Sequence, residues 1–217
     1  ELRIRHLRKL IDEAELTIGG VTKAATPYTK TRIKSLFNMM LDYAVEYELI
    51  EKNYARNMQL DNQIFLQIKE EYRDHIPFTD EEMDILWKNL GKVDYVNVLL
   101  FQCYSGWRPR ELGLIRLENV DLEEETIMGG IKTEAGINRI VPIHPKVMPI
   151  VHELYMQAVA LNSEYLINCT DGYVVRSGIK LTYNRYKGRF CKIISSLNLN
   201  PAHRPHDGRK HFVTLAK

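Results

Sequence analysis

Cysteine is scarce in this sequence, and its spacing gives no support to two common structural uses. Cys103, Cys169 and Cys191 are odd in number, widely separated and free of any Cys-x-x-Cys pairing. A disulfide framework needs paired cysteines, and structural zinc sites use closely spaced ones. We therefore expect a protein of the reducing cytoplasm.

Long hydrophobic runs are missing as well. No stretch approaches the roughly 18 consecutive apolar residues of a membrane helix, and residues 1–5 lack the apolar core of a signal peptide. The 217 residues, 45% of them hydrophobic, are nevertheless enough for packed cores and two domains. We expect a soluble protein with no membrane partner. Because the sequence does not begin with Met, we expect it to be part of a longer protein.

Acidic residues are almost absent from the last part of the chain. Between Arg176 and Lys217, ten lysines and arginines accompany the single acid Asp207, a local charge of +9 in a chain whose net charge is +2. A basic block beside an acidic body is what binding to a polyanion requires. The alternative explanation is a solvated cationic helix surface.

Hydrophobic periodicity predicts a mainly α-helical chain with a small antiparallel β-sheet, an α+β fold. Thr26 and Pro27 form an N-cap and first turn, and Thr79 begins a capping box. The predicted helices are 2–16, 27–49, a helix that follows Thr79, 95–104, a short one from Pro109, 145–160 and 177–197, and the predicted strands are 126–128 and 139–143.

Weak periodicity from Glu51 to about Pro77 indicates a linker between two domains. We predict a helical domain over residues 1–60, a linker over 61–76 and a second domain over 77–217.

A turn that carries Arg108 is the first candidate site element. Glu111, three positions on, can hold this arginine while its guanidinium fork faces a phosphate in two contacts. An ordinary surface ion pair is the alternative interpretation.

Lys132 lies just before the turn of the predicted hairpin. A lysine on a hairpin can deliver its ammonium to the leaving oxygen of a phosphodiester. A lysine that only keeps the hairpin soluble is the alternative.

The segment from His206 to Arg209 places an imidazole and a cation on one helical turn. Pro205 and Asp207 indicate a helix start, where backbone amides favour an anion. A metal cluster of His203, His206 and His211 is the competing explanation, but no acid or cysteine completes a known zinc pattern.

Taken in order, three motifs resemble the catalytic domain of the tyrosine recombinases, the phage-integrase family. They are Gly-x-Arg-x-x-Glu-Leu at 106–112, Lys-Thr at 132–133 and His-Asp-x-Arg at 206–209. The resemblance spans about Asp74 to Lys217, and its details are most similar to integrases of conjugative transposons. The preceding helical segment, with Asn53 and Tyr54, resembles the family's core-binding domain.

The resemblance implies a role for each matched residue. Arg108 and Arg209 would bind the scissile phosphate and stabilise its pentacoordinate transition state. Lys132 would protonate the departing 5′ oxygen, His206 would assist proton transfer, and Glu111 would brace the site. The implied reaction uses no metal and no cofactor: a tyrosine forms a 3′-phosphotyrosyl link, and a 5′-hydroxyl reverses it.

The resemblance also implies double-stranded DNA as the partner, held in a clamp formed by the two domains. The family acts as a dimer on each site and as a tetramer in synapsis, and an excision factor is a further candidate partner. The implied role is integration and excision of a mobile element. The cations expected to contact DNA are Lys23, Lys30, Arg32, Lys34, Arg139, Lys180, Arg185 and Lys187.

The sequence departs from the family pattern in three places. Gly208 stands where leucine is frequent, and Lys210 stands where histidine is frequent. The nucleophilic tyrosine follows the His-x-x-Arg motif in the family, but no tyrosine follows Arg209. We therefore expect the nucleophile downstream of Lys217, and we expect this chain alone to bind DNA without cleaving it. A nuclease, a type IB topoisomerase-like enzyme and a non-catalytic DNA-binding regulator are the alternative functions.

Overall fold

The computed structural model describes residues 3–61, 75–131, 136–169 and 179–216. The chain divides into two compact units, Glu1–Asp74 and His75–Lys217. The predicted linker over 61–76 lies almost entirely outside the described residues, so the predicted domain boundaries stay a prediction.

The first unit contains two helices and a β-hairpin that the periodicity did not predict. Its elements are α1 (Ile4–Asp12), β1 (Glu15–Ile18), β2 (Val21–Ala24) and α2 (Pro27–Glu46). The predicted helix over 2–16 is therefore wrong beyond Asp12. The strands pair antiparallel across Gly19 and Gly20, which both have positive φ, a conformation that glycine adopts without steric strain.

The start of α2 agrees with the sequence prediction. Thr26 is the N-cap, and its hydroxyl accepts a hydrogen bond of 3.3 Å from the backbone N of Thr29. Pro27 occupies the first turn, where its missing N–H is not needed. The small core of this unit consists of Leu7, Ile11, Ala55, Met58 and Leu60, with Ile33, Phe37, Leu41 and Tyr54 packed against it.

The second unit has six helices and a three-stranded sheet among its described residues. They are α3 (Asp80–Lys88), α4 (Val96–Ser105), α5 (Pro109–Leu112), β3 (Val120–Asp121), β4 (Thr126–Gly129), β5 (Arg139–Pro142), α6 (Met148–Ala160), α7 (Tyr183–Ser196) and α8 (Asp207–Leu215). The 3₁₀ turns Leu117–Asn119 and Pro145–Val147 precede β3 and α6. The fold class is the predicted one.

Helix α4 is the centre of this unit, because every residue in it except Asn97 is buried. An almost continuous apolar run gives a helix no solvent face, so other elements must cover it on all sides. Gly106 ends the helix with a φ of 65°. A Cβ at Gly106 would lie 2.4 Å from the ring of Phe212 in α8, so glycine is what allows α8 to pack against this end of α4.

The sheet is antiparallel in the order β3, β4, β5. Arg139 pairs with Gly129, where β4 ends. Along β5, Arg139 and Val141 are half-buried, whereas Ile140 and Pro142 are exposed. Arg139 is therefore on the inner face of the sheet.

The last predicted helix begins later than expected. Helix α7 begins at Tyr183, with the Thr182 hydroxyl as its N-cap acceptor. Lys180 precedes the helix and forms a β-bridge with Asn168, so its predicted helical position is wrong. The described helices include none that is both long and apolar enough to cross a membrane.

Candidate anion site

The site is built on Arg108, which occupies the N-cap of α5. Glu111, on the first turn of that helix, accepts 2.8 Å from the Arg108 guanidinium and 3.0 Å from the Arg108 backbone N. The Glu111 side chain is only 2% exposed. A short helix that begins at Pro109 thus fixes both the arginine and its acid.

A second arginine binds the same carboxylate from the sheet. Arg139 Nη2 lies 2.8 Å from Glu111 Oε2, and Arg139 Nη1 lies 3.4 Å from Oε1. Burial alone would raise the pKa of Glu111, but the hydrogen bonds from Arg139 and Arg108 lower it to about 2. Glu111 is therefore ionised at neutral pH, although it is buried.

Arg209 brings a third guanidinium to the site from α8. Its Nη1 donates to the backbone carbonyl oxygen of Gly106, at the end of α4. Burial lowers the pKa of Arg209, and the nearby charges of Arg108 and Arg139 lower it further. Three guanidiniums therefore lie close together, and among the described acids only Glu111 forms an ion pair with any of them.

His206 is the N-cap residue of α8, next to this cluster. It lines a cavity of about 400 Å³ together with Arg108, Arg110, Glu111 and Ile131. The cavity combines two arginines, an imidazole and an ionised but paired carboxylate. Such a lining suits an anion that also takes or gives a proton.

A buried network behind His206 holds the start of α8. Asp207 is 1% exposed and accepts 3.1 Å from His203, 2.8 Å from His75 and 2.8 Å from the backbone N of Arg204. His203 in turn lies 3.0 Å from Glu82, the capping-box acid of α3. The capping box that begins at Thr79 predicted a capping role for Glu82, but not its contact with His203.

The hydrogen bonds between His203 and its two acids shift the pKa values of all three groups. Burial would lower the pKa of His203, but hydrogen bonds to Asp207 and Glu82 raise it. Burial would raise the pKa of both acids, but their hydrogen bonds lower it. The two carboxylates thus favour the protonated form of the imidazole that lies between them. His75 extends the network, and its ring centroid lies 5.4 Å from that of His206.

Two members of the alternative metal cluster of His203, His206 and His211 make other contacts. His203 is bound between two acids, and His211 Nδ1 lies 3.1 Å from the carbonyl oxygen of Phe78. Burial lowers the pKa of His211. Within the described ranges, no group of three or more His, Cys, Asp or Glu side chains could hold a metal ion.

Gly208, a departure from the family pattern, has a structural reason in this chain. A Cβ at this position would lie 2.6 Å from Oε1 of Gln102 in α4. That oxygen accepts 2.6 Å from the Tyr186 hydroxyl, while Gln102 Nε2 donates 3.1 Å to the Trp107 carbonyl. The missing side chain makes room for a buried polar pair. Tyr186 is fully buried, and burial raises its pKa, so its hydroxyl cannot reach a substrate in this structure.

The structure brings together Arg108, Glu111, His206 and Arg209, whose catalytic roles stay predictions. Lys132 lies outside the described residues. Lys23 is exposed on β2, and in α2 Lys30 donates to the Asp12 carbonyl and Arg32 to the Tyr28 hydroxyl. The remaining predicted DNA contacts in described segments are Lys34, half-buried in α2, and the exposed Lys180, Arg185 and Lys187.

Sequence reasoning missed three contributors to the site. Arg110 lines the cavity, Trp107 supports Arg139, and His75 joins the network at Asp207. Arg110 follows the recognised arginine by two positions and could have been found from that spacing. His75 could not, because 132 positions separate it from Asp207.

Comparison with known proteins identifies the fold. No protein-family profile and no curated protein matches the chain. The solved structure of the Tn1549 transposon integrase in complex with circular intermediate DNA is similar, with a TM-score of 0.71 and 15% identity over 99% of this chain and 72% of that one. The lambda integrase dimer bound to a COC′ core site gives a TM-score of 0.64 and 13% identity over 99% and 73% of the two chains.

The XerA recombinase is a third similar structure, with a TM-score of 0.55 and 12% identity over 98% of this chain and 66% of that one. At such low identities the likeness concerns the fold. It covers nearly the whole of this chain in each case. The chain therefore has the α+β fold of the tyrosine recombinases, as its three motifs predicted.

Proposed function

We propose that this chain is the DNA-binding and phosphate-activating part of a site-specific recombinase that cleaves and rejoins DNA strands. The observation that carries the proposal is the charge of the site. Arg108, Arg139 and Arg209 surround the single carboxylate of Glu111, which leaves two positive charges uncompensated among these four side chains. A phosphodiester that acquires a further negative charge during in-line attack fits this excess.

The proposed mechanism assigns each group a physical task. The guanidinium forks of Arg108 and Arg209 bind the non-bridging phosphate oxygens and stabilise the pentacoordinate transition state. His206 transfers a proton at the cavity. Lys132 protonates the 5′ oxygen that departs. The nucleophile is a tyrosine that forms a 3′-phosphotyrosyl intermediate, and a 5′-hydroxyl of another strand resolves it.

Double-stranded DNA is the proposed partner. The Tn1549 integrase and the lambda integrase, which share the fold, were both solved bound to DNA. The excess of basic residues from Arg176 onward supports the same partner for this chain. Assembly as a dimer on each site and a tetramer in synapsis, with an excision factor, belongs to the proposal, as does movement of a mobile element.

A suicide-substrate assay tests the function. The protein encoded by the complete gene is mixed, in chelator, with nicked duplexes that carry the ends of the element. We expect a covalent protein–DNA adduct that disappears in the Arg108→Lys variant, because lysine cannot hold Glu111 and the phosphate at once. DNA breakage that needs a metal and leaves no adduct would exclude the proposal. Relaxation of supercoiled DNA without strand exchange would instead indicate a topoisomerase.

A further inference from the structure

Arg139 has more fixed contacts than a DNA-binding side chain needs. Its guanidinium binds both oxygens of Glu111 and donates 3.3 Å to the carbonyl of Gly136. It also lies 4.2 Å above the ring of Trp107, which is fully buried. Cation–π contact and three hydrogen bonds hold the side chain in one orientation.

The hairpin is shaped around this arginine. Gly130 has a φ of 105°, and a Cβ there would lie 2.7 Å from Arg139 Nη1 and 1.8 Å from the Gly136 carbonyl oxygen. Only glycine therefore allows the base of the hairpin to close over the guanidinium. The backbone at Gly130 is therefore packed closely against Arg139.

The two arginines share Glu111 unequally. Arg139 faces the carboxylate as a fork, whereas Arg108 uses one guanidinium nitrogen and its backbone N–H. A guanidinium has five N–H donors, so Arg108 keeps most of its donors for another acceptor. Arg108 also lines the cavity.

We infer that Arg139 is a positioning residue that neutralises Glu111 and so leaves the Arg108 fork available to phosphate. This inference rests on the proposed function, in which the cavity binds a phosphodiester. It replaces the prediction that Arg139 itself contacts DNA. Among the described residues, Arg108 would be the one guanidinium partner left to Glu111 without Arg139. The positive charge of Arg108 would then be neutralised by Glu111 rather than by the phosphate.

A double-mutant cycle separates this role from direct contact. The protein is labelled with ¹⁵N-arginine, and inorganic phosphate is titrated at constant ionic strength while the Nε–Hε resonances of Arg108 and Arg209 are followed. We expect Arg139→Gln to weaken phosphate binding about tenfold. This is the size expected when Arg108 turns towards Glu111 and loses one charge-assisted hydrogen bond to the phosphate. In the Glu111→Gln background, the same substitution should change the dissociation constant by less than about threefold, because no carboxylate is left to neutralise.

Two variants serve as controls. Arg139→Lys keeps a cation beside Glu111, so its affinity should remain within about threefold of the original if neutralisation is what matters. Arg116→Gln removes an arginine of matched surroundings, 2.7 Å from Glu164 and 5.3 Å from the ring of Tyr165, but outside the cavity lining. It should leave phosphate binding unchanged. Thermal unfolding identifies any variant that is not folded. If Arg139→Gln is unfolded, the phosphate affinity of Arg139→Lys is compared in its place in the two backgrounds.

Different results would overturn the positioning role of Arg139 and the proposed function. Equal losses from Arg139→Gln in both backgrounds, or no loss in either, would overturn the positioning role. A loss in Arg139→Lys as large as that in Arg139→Gln would also overturn it. If the unaltered protein shows no shift of Arg108 or Arg209 with phosphate, the proposed function itself fails.

Discussion

At the scale of single residues, Glu111 connects the two parts of the site. It is on α5, whereas Arg139 is on β5, 28 positions later. One carboxylate thus fixes a helix start to a strand and holds two like charges at a short distance. Removing it would leave those charges facing each other without compensation.

Glu111→Ala should therefore destabilise the fold. We expect a loss of about 2 kcal/mol in the free energy of unfolding, less than for a fully buried pair because both arginines are partly exposed. Urea denaturation at pH 7 measures it. Since the pKa of Glu111 is lowered from 4.5 to about 2, its stabilising effect should be complete above about pH 4.5 and should be lost progressively as the pH falls to about 2. An unchanged urea midpoint would contradict this role.

His203 predicts a pH dependence with a definite sign. Its pKa is raised above the usual 6.5, so its contribution to stability is complete below pH 6.5 and is lost as the pH rises through the folded-state value. His203→Gln should remove this loss. The test is the free energy of unfolding of the unaltered protein and of His203→Gln, measured at pH 6 and at pH 9. Subtracting the variant's value from that of the unaltered protein at each pH cancels the opposite effect of His211, which both proteins contain. Parallel curves would contradict the network.

The sequence located some of these residues and not their partners. Arg108, Glu111 and Arg209 could be placed because the chemistry fixes their types and local spacing. The partner of Glu111 was missed, and Arg139 was assigned to DNA instead. The alternation along β5, which puts Arg139 on the same face as Val141, was the available signal.

At the scale of elements, α8 depends on close contact with α4. Gly208 lies against the Gln102 carboxamide, which two hydrogen bonds hold in place. Gly188 is also in a helix, but a Cβ there would meet nothing within 4 Å. Substituting alanine at Gly208 and at Gly188 therefore compares the same change at a crowded and at an open helical position.

Gly208→Ala should destabilise the protein by about 1 to 3 kcal/mol, because the added methyl group overpacks a buried contact. Gly188→Ala should instead stabilise it by about 0.5 to 1 kcal/mol, because alanine is the better helix former. Thermal unfolding of both variants is the measurement. Stabilisation by both substitutions would show that Gln102 moves aside.

Elements with strong end signals were predictable, and those without them were not. The Thr26 cap and the Thr79 capping box mark α2 and α3 correctly. The hairpin Glu15–Ala24 was missed because a single amphipathic pattern was extended across it, although Gly19 and Gly20 were a usable turn signal. The start of α7 was misplaced because apolar spacing continues through Ile179 before the cap at Thr182.

At the scale of the whole molecule, basic residues are concentrated in the last part of the chain, and the preceding part is acidic. Lys187 and Arg185 are exposed on α7, within the basic segment, whereas Lys88 is exposed on α3 of the acidic body. Phosphate contacts release counterions, so each one adds to the salt dependence of binding. The clamp of two domains around DNA stays a prediction.

Lys187→Gln should weaken binding to a random-sequence duplex and lower the slope of log affinity against log salt by about 1. Lys88→Gln, the control, should leave the slope unchanged. Fluorescence anisotropy from 50 to 200 mM salt resolves the difference. Equal slopes for both variants would mean that α7 does not face the phosphate backbone.

The expectation that matters most is that Arg108, His206 and Arg209 form one site for a phosphoryl group. Its most direct test is a crystal structure of this chain soaked in tungstate, whose anomalous signal locates the anion. We expect one tungstate within hydrogen-bond distance of both guanidiniums and beside the His206 imidazole. Tungstate bound elsewhere with this cavity empty, in a protein that still binds DNA, would contradict it.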